Sequence, residues 1–454
     1  MIAPARLAAY DILRAISSGR ADLPSAIAYT RDSLADERDR ALAAEIATGV
    51  QRQRSALDHL IVHFAKRPLE RLDLEVVEIL RLSAYQLLQL SRVPASAVVD
   101  DAVNLAGKAG KRSASGFVNA VLRRLSRNRA ALPLPPVPAD EADREAALDY
   151  LSITLSHPRW LAARWYDRLG FRRAEAWMTF NNRPAPLTLR ANALHGSVED
   201  LQLRLGAAGV KVRPGLFAPQ ALIVEEGHPL RGPAVDAGWF VVQDEASQLI
   251  PLLAGEHPGP LVLDTCASPG GKTTAIAATI HGRGSVVACD VRDRRMTLLR
   301  QTVRATGADN VWLVQADVMA ALPFSRTFSA VVVDAPCSGL GTLRRDPDIR
   351  WRRNEADLAV LSHAQRQMLN RAAATVAPGG RLIYATCSSE PEENEQVVEA
   401  FLRETPAFVA MDARHAHFAL PAETVDERGF LRTEPDRHGL EAFFGAVFER
   451  ARNL

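Results

Sequence analysis

The chain has 454 residues, of which 47% are hydrophobic and 24% are charged. These proportions are typical of folded globular proteins and exclude a wholly disordered, collagenous or coiled-coil chain. At about 150 residues per domain, the length predicts roughly three domains. Lys and Arg number 55 against 53 Asp and Glu, a net charge of +2. The overall charge therefore indicates no partner, and any nucleic-acid surface has to be a local patch.

The cysteines exclude two classes of site. Cys266, Cys289, Cys337 and Cys387 are too few for a disulfide framework, and they lack the paired spacing of a zinc site. The first twenty residues show no signal peptide, and no apolar run approaches the ~20 residues that a membrane span needs. We therefore expect a cytoplasmic protein with reduced thiols, without a metal ion and without a membrane partner. We also expect a monomer.

Residues 1–130 predict an all-helical bundle. Apolar residues recur there at spacings of three and four, as in Val77, Leu80, Ala84 and Leu87. Helices with such apolar stripes bury them against one another. The next segment, 131–144, holds four prolines followed by three acids, a composition that resists helix and sheet and predicts a linker.

The rest of the chain predicts two further domains. Residues 145–235 predict a small connecting α+β domain, which is helical to about residue 182 and has strand candidates at 187–189 and 221–224. From residue 236 to the end, short β-rich runs alternate with helical stretches, as in βαβ units on a parallel sheet. The strand candidates in this last domain are 261–264, 286–290, 311–315, 330–334 and 382–386.

Acidic residues stand at or just after four of these strands: Asp264, Asp290, Asp317 and Asp334. Each one alone could be a helix N-cap or a turn aspartate. Their ordered recurrence instead favours a ligand crevice, because ligands of open α/β sheets bind outside the carboxyl ends of the strands. In that crevice Asp290 would bind the ribose hydroxyls of an adenosine, and Asp317 would accept a hydrogen bond from the adenine amino group.

The loop after the first of these strands superficially resembles a P-loop. It reads Asp-Thr-Cys-Ala-Ser-Pro-Gly-Gly-Lys-Thr-Thr from residue 264, and Cys266 stands where a phosphate-binding loop requires its first glycine. Two glycines still let the backbone approach a ligand, and a helix N-terminus favours a carboxylate. These features suit the methionine part of S-adenosylmethionine better than a nucleotide triphosphate.

Two cysteines lie just beyond two strand ends. Cys337 follows the fourth strand candidate, and Cys387 follows the fifth. A buried structural role is the ordinary one for either cysteine alone, but together, and with Asp334 nearby, they indicate covalent chemistry. Carbon 5 of cytosine or uracil is too poor a nucleophile to take a methyl group directly. A thiolate that adds to carbon 6 makes carbon 5 reactive enough.

Three motifs together resemble those of the RNA 5-methylcytosine methyltransferases: Asp-x-Cys-Ala-x-Pro-Gly-Gly-Lys-Thr at 264–273, Asp-Ala-Pro-Cys-Ser at 334–338 and Thr-Cys-Ser at 386–388. The resemblance implies that Cys387 is the nucleophile and that Cys337 assists proton removal from carbon 5 and product release. It implies that Asp334 hydrogen-bonds the base. It also implies S-adenosylmethionine as cofactor, held by Cys266, Ala267, Ser268, Pro269, Gly270, Gly271, Lys272, Asp290, Asp317 and Asp334. Cys289 alone keeps a structural interpretation.

The helical region carries a second resemblance. Segments 39–45, 79–88 and 116–123 are similar to the NusB antitermination fold, an RNA-binding helical domain, and residues 111–129 hold six Lys or Arg and no acid. A NusB-like module joined to such a methyltransferase resembles the RsmB (Sun) family, which modifies small-subunit ribosomal RNA. The implied fold is multi-domain: an all-α NusB-like bundle, a small α+β connecting domain and an α/β Rossmann-like methyltransferase domain.

The resulting hypothesis is an S-adenosylmethionine-dependent cytosine-C5 methyltransferase that acts on one cytidine of small-subunit ribosomal RNA. One alternative is a transfer-RNA cytosine-C5 methyltransferase, because the catalytic motifs are shared. Another is a non-catalytic RNA-binding or antitermination factor. A basic stretch at 344–353, with five Lys or Arg, two acids and Trp351, is expected to contact RNA, with the tryptophan stacking on a base. Its alternative is a solvated loop with a packed aromatic side chain.

Overall fold

The structure is a computed structural model that describes residues 2–231, 234, 237–320, 322–324 and 327–452. It divides into two compact units, one of Met1–Pro184 with Leu343–Asn354, the other of Ala185–Thr342 with Glu355–Leu454. The domain boundary expected between residues 235 and 236 lies outside the described residues. Over the ranges that are described, none of the helices is both long and apolar enough to cross a membrane.

The N-terminal part of the first unit is the expected bundle of helices. Its core side chains are almost fully buried, for example Ile12, Leu13, Ile46, Leu80 and Leu122. Burying each of these side chains contributes about 1.5–3 kcal/mol. The helices of the bundle are Pro4–Ser17, Leu23–Arg31, Glu37–Arg52, Arg54–Ala65, Leu74–Gln89, Ala95–Lys108 and Ser115–Arg127.

More helices complete the first unit beyond the proline-rich segment. They are Arg144–Asp149, which continues into a π-helical turn Tyr150–Thr154, then Arg159–Leu169 and Phe171–Asn181. Asp143 caps the first of them by accepting a hydrogen bond from the backbone of Ala146. Trp165 is fully buried and packs edge-on against Trp177, with ring centroids 5.4 Å apart.

The segment Leu343–Asn354 packs as part of the first unit, and its Arg350 is fully buried. The Arg350 guanidinium donates hydrogen bonds to the backbone oxygen of Ser156 and to the side-chain oxygen of Asn182, both at 2.9 Å. Trp351 donates from Nε1 to the backbone oxygen of Gln51 at 2.7 Å. The expectation that this stretch reads RNA is therefore wrong for Arg350, because that side chain is enclosed by protein and serves as an anchor.

The second unit begins with a small antiparallel sheet of the strands β1 (Thr188–Ala191), β2 (Lys211–Pro214), β3 (Ala221–Glu226) and β4 (Phe240–Val242). Its strand order is β2–β3–β1–β4. The helix Val198–Ala207 lies between β1 and β2 and begins with a capping box, in which Ser197 and Asp200 each accept a hydrogen bond from the other's backbone. β1 and β3 match the strand candidates at 187–189 and 221–224, whereas β2 and β4 were not expected from the sequence.

The large sheet of the second unit has the strand order β10–β12–β9–β8–β5–β6–β7, with β11 paired to β12. Strands β5 to β9 pair in parallel, and β12 is antiparallel to β9. The strands are β5 (Leu261–Asp264), β6 (Ser285–Asp290), β7 (Val311–Gln315), β8 (Phe328–Asp334), β9 (Val376–Thr386), β10 (Phe408–Met411), β11 (Leu431–Arg432) and β12 (Phe444–Arg450).

Helices cover both faces of this sheet, and the side chains of β5 alternate between them. Val262 belongs to the core cluster that includes Ile276 and Leu299, whereas Leu263 belongs to the cluster that includes Leu369 and Phe401. This alternation follows from the two-residue period of a strand. The principal helices are Gly271–Thr279, Asp293–Thr306, Ala356–Ala373 and Glu395–Glu404, and short ones are Glu245–Leu249, Ile349–Arg352 (in the first unit) and Pro435–His438.

Candidate active site

The candidate site lies where the strand order of the large sheet reverses. β5 pairs with β6 on one side and with β8 on the other. β9 continues the sheet beyond β8, with Asp334 opposite Ala385. The loops after β5, β8 and β9 therefore leave the sheet side by side at its carboxyl edge, the usual ligand site of such sheets.

The loop after β5 joins a buried acid to a helix start. Asp264 is 1% exposed and accepts a hydrogen bond from Thr273 Oγ1 at 2.7 Å. Burial and the neighbouring Asp334 carboxylate raise the pKa of Asp264 to about 6. Gly270 has φ +109°, a conformation that favours glycine, and the helix Gly271–Thr279 begins directly after it. The first N–H groups of this helix thus lie at the carboxyl edge of the sheet.

Asp290 ties the same loop to the end of β6. Its buried carboxylate accepts hydrogen bonds from the backbone N–H groups of Ser268 at 3.2 Å and Val291 at 2.9 Å. Each carboxylate oxygen has a second lone pair with which to accept a hydrogen bond from a ligand hydroxyl. Asp317 is exposed just beyond β7 and accepts from the backbone of Met319 at 2.8 Å, which is the geometry of a turn aspartate.

Lys272 and Asp334 form an ion pair, with 2.6 Å between Nζ and Oδ2. Burial by itself would lower the pKa of Lys272, but the carboxylate of Asp334 outweighs burial and raises it. Lys272 Nζ also lies 5.6 Å from the centroid of the Phe443 ring. The ammonium group therefore joins the loop after β5 to the end of β8, and it stays charged at neutral pH.

The two cysteines of the later loops are in contact, with 3.2 Å between Cys337 Sγ and Cys387 Sγ. Both side chains are half-buried. The hydrogen bond with Cys387, burial and the charges of Cys387 and Glu393 raise the pKa of Cys337 well above its ordinary value. Cys337 is therefore a thiol at neutral pH, and two polarisable sulfur atoms face the same point at the edge of the sheet.

The other two cysteines have different surroundings. Cys266 lies half-buried in the loop after β5, and burial together with the Asp264 charge raises its pKa. Cys289 is fully buried in β6 and belongs to the core cluster of Leu263 and Val331. Burial raises the pKa of Cys289 to about 12, so its thiol packs as an apolar group.

Sequence reasoning missed three polar residues beneath the cysteines: Gln365, Glu393 and Asn394. All three are fully buried and hydrogen-bond to the residues that flank Cys337 and Cys387. The one sequence signal was the polar run Glu-Pro-Glu-Glu-Asn-Glu at 390–395, so close after the Thr-Cys motif. Such a run ordinarily indicates an exposed helix start, and burial cannot be seen in its composition.

Family models match this chain in three consecutive parts. Residues 3–127 match the NusB family, residues 157–231 the ferredoxin-like domain of RsmF/B-like methyltransferases, and residues 252–449 the family described as 16S rRNA methyltransferase RsmB/F.

Relatives and solved structures extend these matches over most of the chain. The ribosomal RNA small subunit methyltransferase B of Pseudomonas putida is 35% identical over 90% of this chain and 91% of its own length. The protein of the same name from Xylella fastidiosa is 33% identical over 97% of this chain and 98% of its own. The crystal structure of PH0851 is similar with a TM-score of 0.80, at 26% identity over 99% of both chains. A methyltransferase homolog protein from Pyrococcus horikoshii has a TM-score of 0.58 at 27% identity, covering 67% of this chain and 99% of its own.

Proposed function

The chain belongs to the RsmB/F family of 16S rRNA methyltransferases, and on that premise we propose that it methylates carbon 5 of one cytidine in small-subunit ribosomal RNA. The methyl donor in this proposal is S-adenosylmethionine, and the reaction passes through a covalent bond between Cys387 and carbon 6. The observation that carries the proposal is the 3.2 Å contact of two cysteine sulfurs at the reversal point of a parallel sheet.

The residues at the carboxyl edge of the large sheet offer the hydrogen-bond donors and acceptors that S-adenosylmethionine needs. The helix start at Gly271 offers N–H groups to a carboxylate, and Asp290 offers free lone pairs to ribose hydroxyls. Asp317 on the next strand loop is an exposed acceptor for an adenine amino group. Cys266, Ala267, Ser268, Pro269, Lys272 and Asp334 complete the proposed cofactor site. Bound there, S-adenosylmethionine supplies an electrophilic methyl group.

The two sulfurs have separate roles in the proposed reaction. Cys387 gives its proton to solvent and adds through its sulfur to carbon 6 of the cytosine. The electron pair of the 5,6 double bond moves to carbon 5, which becomes the nucleophile. Because its pKa is raised, Cys337 is the weaker candidate for attack, while its thiolate is the stronger base. Cys337 first gives its own proton to solvent and, as a thiolate, accepts the proton from methylated carbon 5. The double bond then re-forms, and Cys387 leaves carbon 6 as a thiolate.

Asp334 and Lys272 prepare the base for this addition. The Asp334 carboxylate lies at the end of β8, three residues before Cys337 in the chain, and is already paired with Lys272 at 2.6 Å. It has a second oxygen with which to accept a hydrogen bond from the cytosine amino group. A hydrogen bond to the edge of the ring orients carbon 6 toward the sulfur that attacks it.

The helical domain supports ribosomal RNA over transfer RNA as the substrate in this proposal. Residues 3–127 match the NusB family, and Arg112, Arg123, Arg124 and Arg127 are exposed around the helix Ser115–Arg127. Such a cluster provides phosphate contacts. We propose a monomeric cytoplasmic enzyme with domains at 1–130, 145–235 and 236–454, in which the segment 131–144 links the first domain to the second.

Bisulfite mapping of total RNA tests the substrate. Cells that lack the gene are expected to lose one 5-methylcytosine in small-subunit ribosomal RNA, and the wild-type gene restores it, whereas a gene carrying Cys387→Ser does not. Loss of a transfer-RNA mark with the ribosomal marks intact would overturn the choice of substrate. An unchanged methylation map would overturn the proposed activity.

A further inference from the structure

Glu393 is a fully buried carboxylate. It accepts four hydrogen bonds, which come from the loops that carry Cys337 and Cys387 and from Gln365. Oε1 accepts from the backbone N–H of Ser338 at 2.8 Å and from Gln365 Nε2 at 2.9 Å. Oε2 accepts from the hydroxyls of Ser338 and Ser388. Ser338 directly follows Cys337, and Ser388 directly follows Cys387, so a single carboxylate holds the neighbours of both sulfurs.

The two serine hydroxyls also accept hydrogen bonds from the backbone. The Ser338 hydroxyl oxygen accepts from the backbone of Leu340, and the Ser388 hydroxyl oxygen accepts from the backbone of Glu390. The two hydroxyl oxygens also lie 3.2 Å from each other. Because an ionised carboxylate has no hydrogen to give, each hydroxyl donates where it meets Glu393 Oε2. A carboxylate is the one side-chain group of this size that only accepts, which is what four converging donors require.

The adjacent residues extend the same support. Gln365 Nε2 also donates to the backbone oxygen of Pro336, the residue before Cys337. Asn394 Nδ2 donates to the backbone oxygen of Ser388 at 2.9 Å, and Asn394 Oδ1 accepts from Thr386, the residue before Cys387. The residues on both sides of each cysteine are therefore bonded to one buried group of side chains. Buried polar networks of this kind specify one arrangement when every member has its partners.

We propose that Glu393 is a positioning residue, which keeps the Cys337 and Cys387 sulfurs in contact so that attack at carbon 6 and proton removal at carbon 5 occur on the same base. The inference rests on the proposed function for its chemical meaning. Glu393 itself touches neither the base nor the reacting atoms. Reactive groups displaced by about 1 Å can lose about 100-fold in rate, so a shared anchor for both loops has a large effect.

The test compares Glu393→Gln with Glu395→Gln in the full chain. Gln is the same size as Glu, but its amide nitrogen faces two hydroxyls that donate toward it. Glu395 is the matched control because it stands two residues away and pairs instead with Arg432 at 2.9 Å. Two readouts are measured, the kcat and KM for RNA methylation and the rate at which the thiol oxidant diamide joins Cys337 to Cys387, followed by mass spectrometry.

Glu393→Gln is expected to lower kcat about 10- to 100-fold with little change in KM, since the RNA-binding surface is intact. It is also expected to slow the Cys337–Cys387 disulfide about 10-fold, since contact between the sulfurs is lost more often. Glu395→Gln changes neither. A Glu393→Gln protein that loses thermal stability and activity but forms the disulfide at the wild-type rate would overturn the proposal, as would an unchanged kcat.

The disulfide rate separates this inference from the proposed function, because it needs no RNA. If Cys387→Ser were fully active, the proposed reaction would fail while the effect of Glu393 on the sulfur contact could still be measured. Should Glu393→Gln not fold, Ser338→Ala and Ser388→Ala each remove one hydroxyl donor. Each substitution is expected to lower kcat for methylation and to slow formation of the Cys337–Cys387 disulfide. Wild-type values of both quantities would contradict the proposal.

Discussion

At the scale of single residues, the pKa values of the ionisable groups in the site depend on their partners as much as on burial. Lys272 is largely enclosed, yet Asp334 keeps it protonated. Asp264 is more deeply buried than Lys272 and has the hydroxyl of Thr273 as a neutral partner. The pKa of Asp264 therefore rises to about 6, because burial disfavours the charged carboxylate and the Asp334 carboxylate repels it.

This shift predicts a pH-dependent contribution to stability. The folded state binds a proton at Asp264 more tightly than the unfolded state, whose aspartate has a pKa near 3.8. The contribution of Asp264 is therefore most favourable below about pH 4 and is lost as pH rises to about 6. A shift of about two units corresponds to about 3 kcal/mol. Urea unfolding of the wild type and of Asp264→Asn between pH 4.5 and 7.5 measures this contribution. As the pH rises, the free energy of unfolding of the wild type should fall relative to that of Asp264→Asn. A difference that is constant with pH would contradict the assignment.

At the scale of elements, the predictable part is the parallel sheet. The strand candidates at 261–264, 286–290, 311–315, 330–334 and 382–386 are all strands in the structure, because buried parallel strands are short, apolar and bounded by turn residues. The strands β10, β11 and β12, which pair antiparallel to one another or to β9, were not predicted. Arg350 was also missed as an anchor, since a sequence does not distinguish an exposed arginine from one that finds carbonyl partners in the core.

The loops after β8 and β9 are held together by backbone contacts that require glycine at residue 341. Gly341 N–H donates to the backbone oxygen of Cys387 at 3.0 Å. A Cβ atom at Gly341 would lie 2.0 Å from the backbone oxygen of Ala442 and 2.8 Å from that of Cys387. Any larger side chain at residue 341 would therefore push the loop after β9 away from the loop after β8.

Gly341→Ala is thus expected to lower kcat for methylation about 100-fold, as measured by methyl transfer to RNA. Gly206→Ala is the control, because within the described residues a Cβ there has open space and its helix lies outside the site. Wild-type kcat in Gly341→Ala would show that the two loops tolerate separation.

At the scale of the whole molecule, the chain runs from the second unit into the first at Leu343 and back at Asn354. Arg350 fixes this excursion within the first unit through its hydrogen bonds to Ser156 and Asn182. Burial, with the nearby charge of Arg52, lowers the pKa of Arg350 to about 9, so the side chain remains charged at neutral pH. Arg350 stabilises the first unit because it donates hydrogen bonds to carbonyl and amide oxygens that would otherwise be buried without a donor.

Arg350→Met keeps much of the side-chain volume and removes the donors, so it is expected to destabilise the first unit by about 2–4 kcal/mol. Urea unfolding of the full chain measures the loss. Arg123→Ala replaces an exposed arginine of the same unit and should change the unfolding free energy by less than about 0.5 kcal/mol. Equal effects of the two substitutions would mean that the Arg350 contacts contribute no net stability.

The division of labour between the two sulfurs is tested most directly by trapping the covalent intermediate. Cys337→Ala and Cys387→Ser proteins are incubated with substrate RNA and S-adenosylmethionine and run on a denaturing gel. Cys337→Ala is expected to accumulate a protein–RNA adduct, because carbon 5 keeps its proton and the bond to Cys387 cannot break, while Cys387→Ser forms no adduct and transfers no methyl group. An adduct that forms in Cys387→Ser and disappears in Cys337→Ala would reverse the two roles and contradict this account.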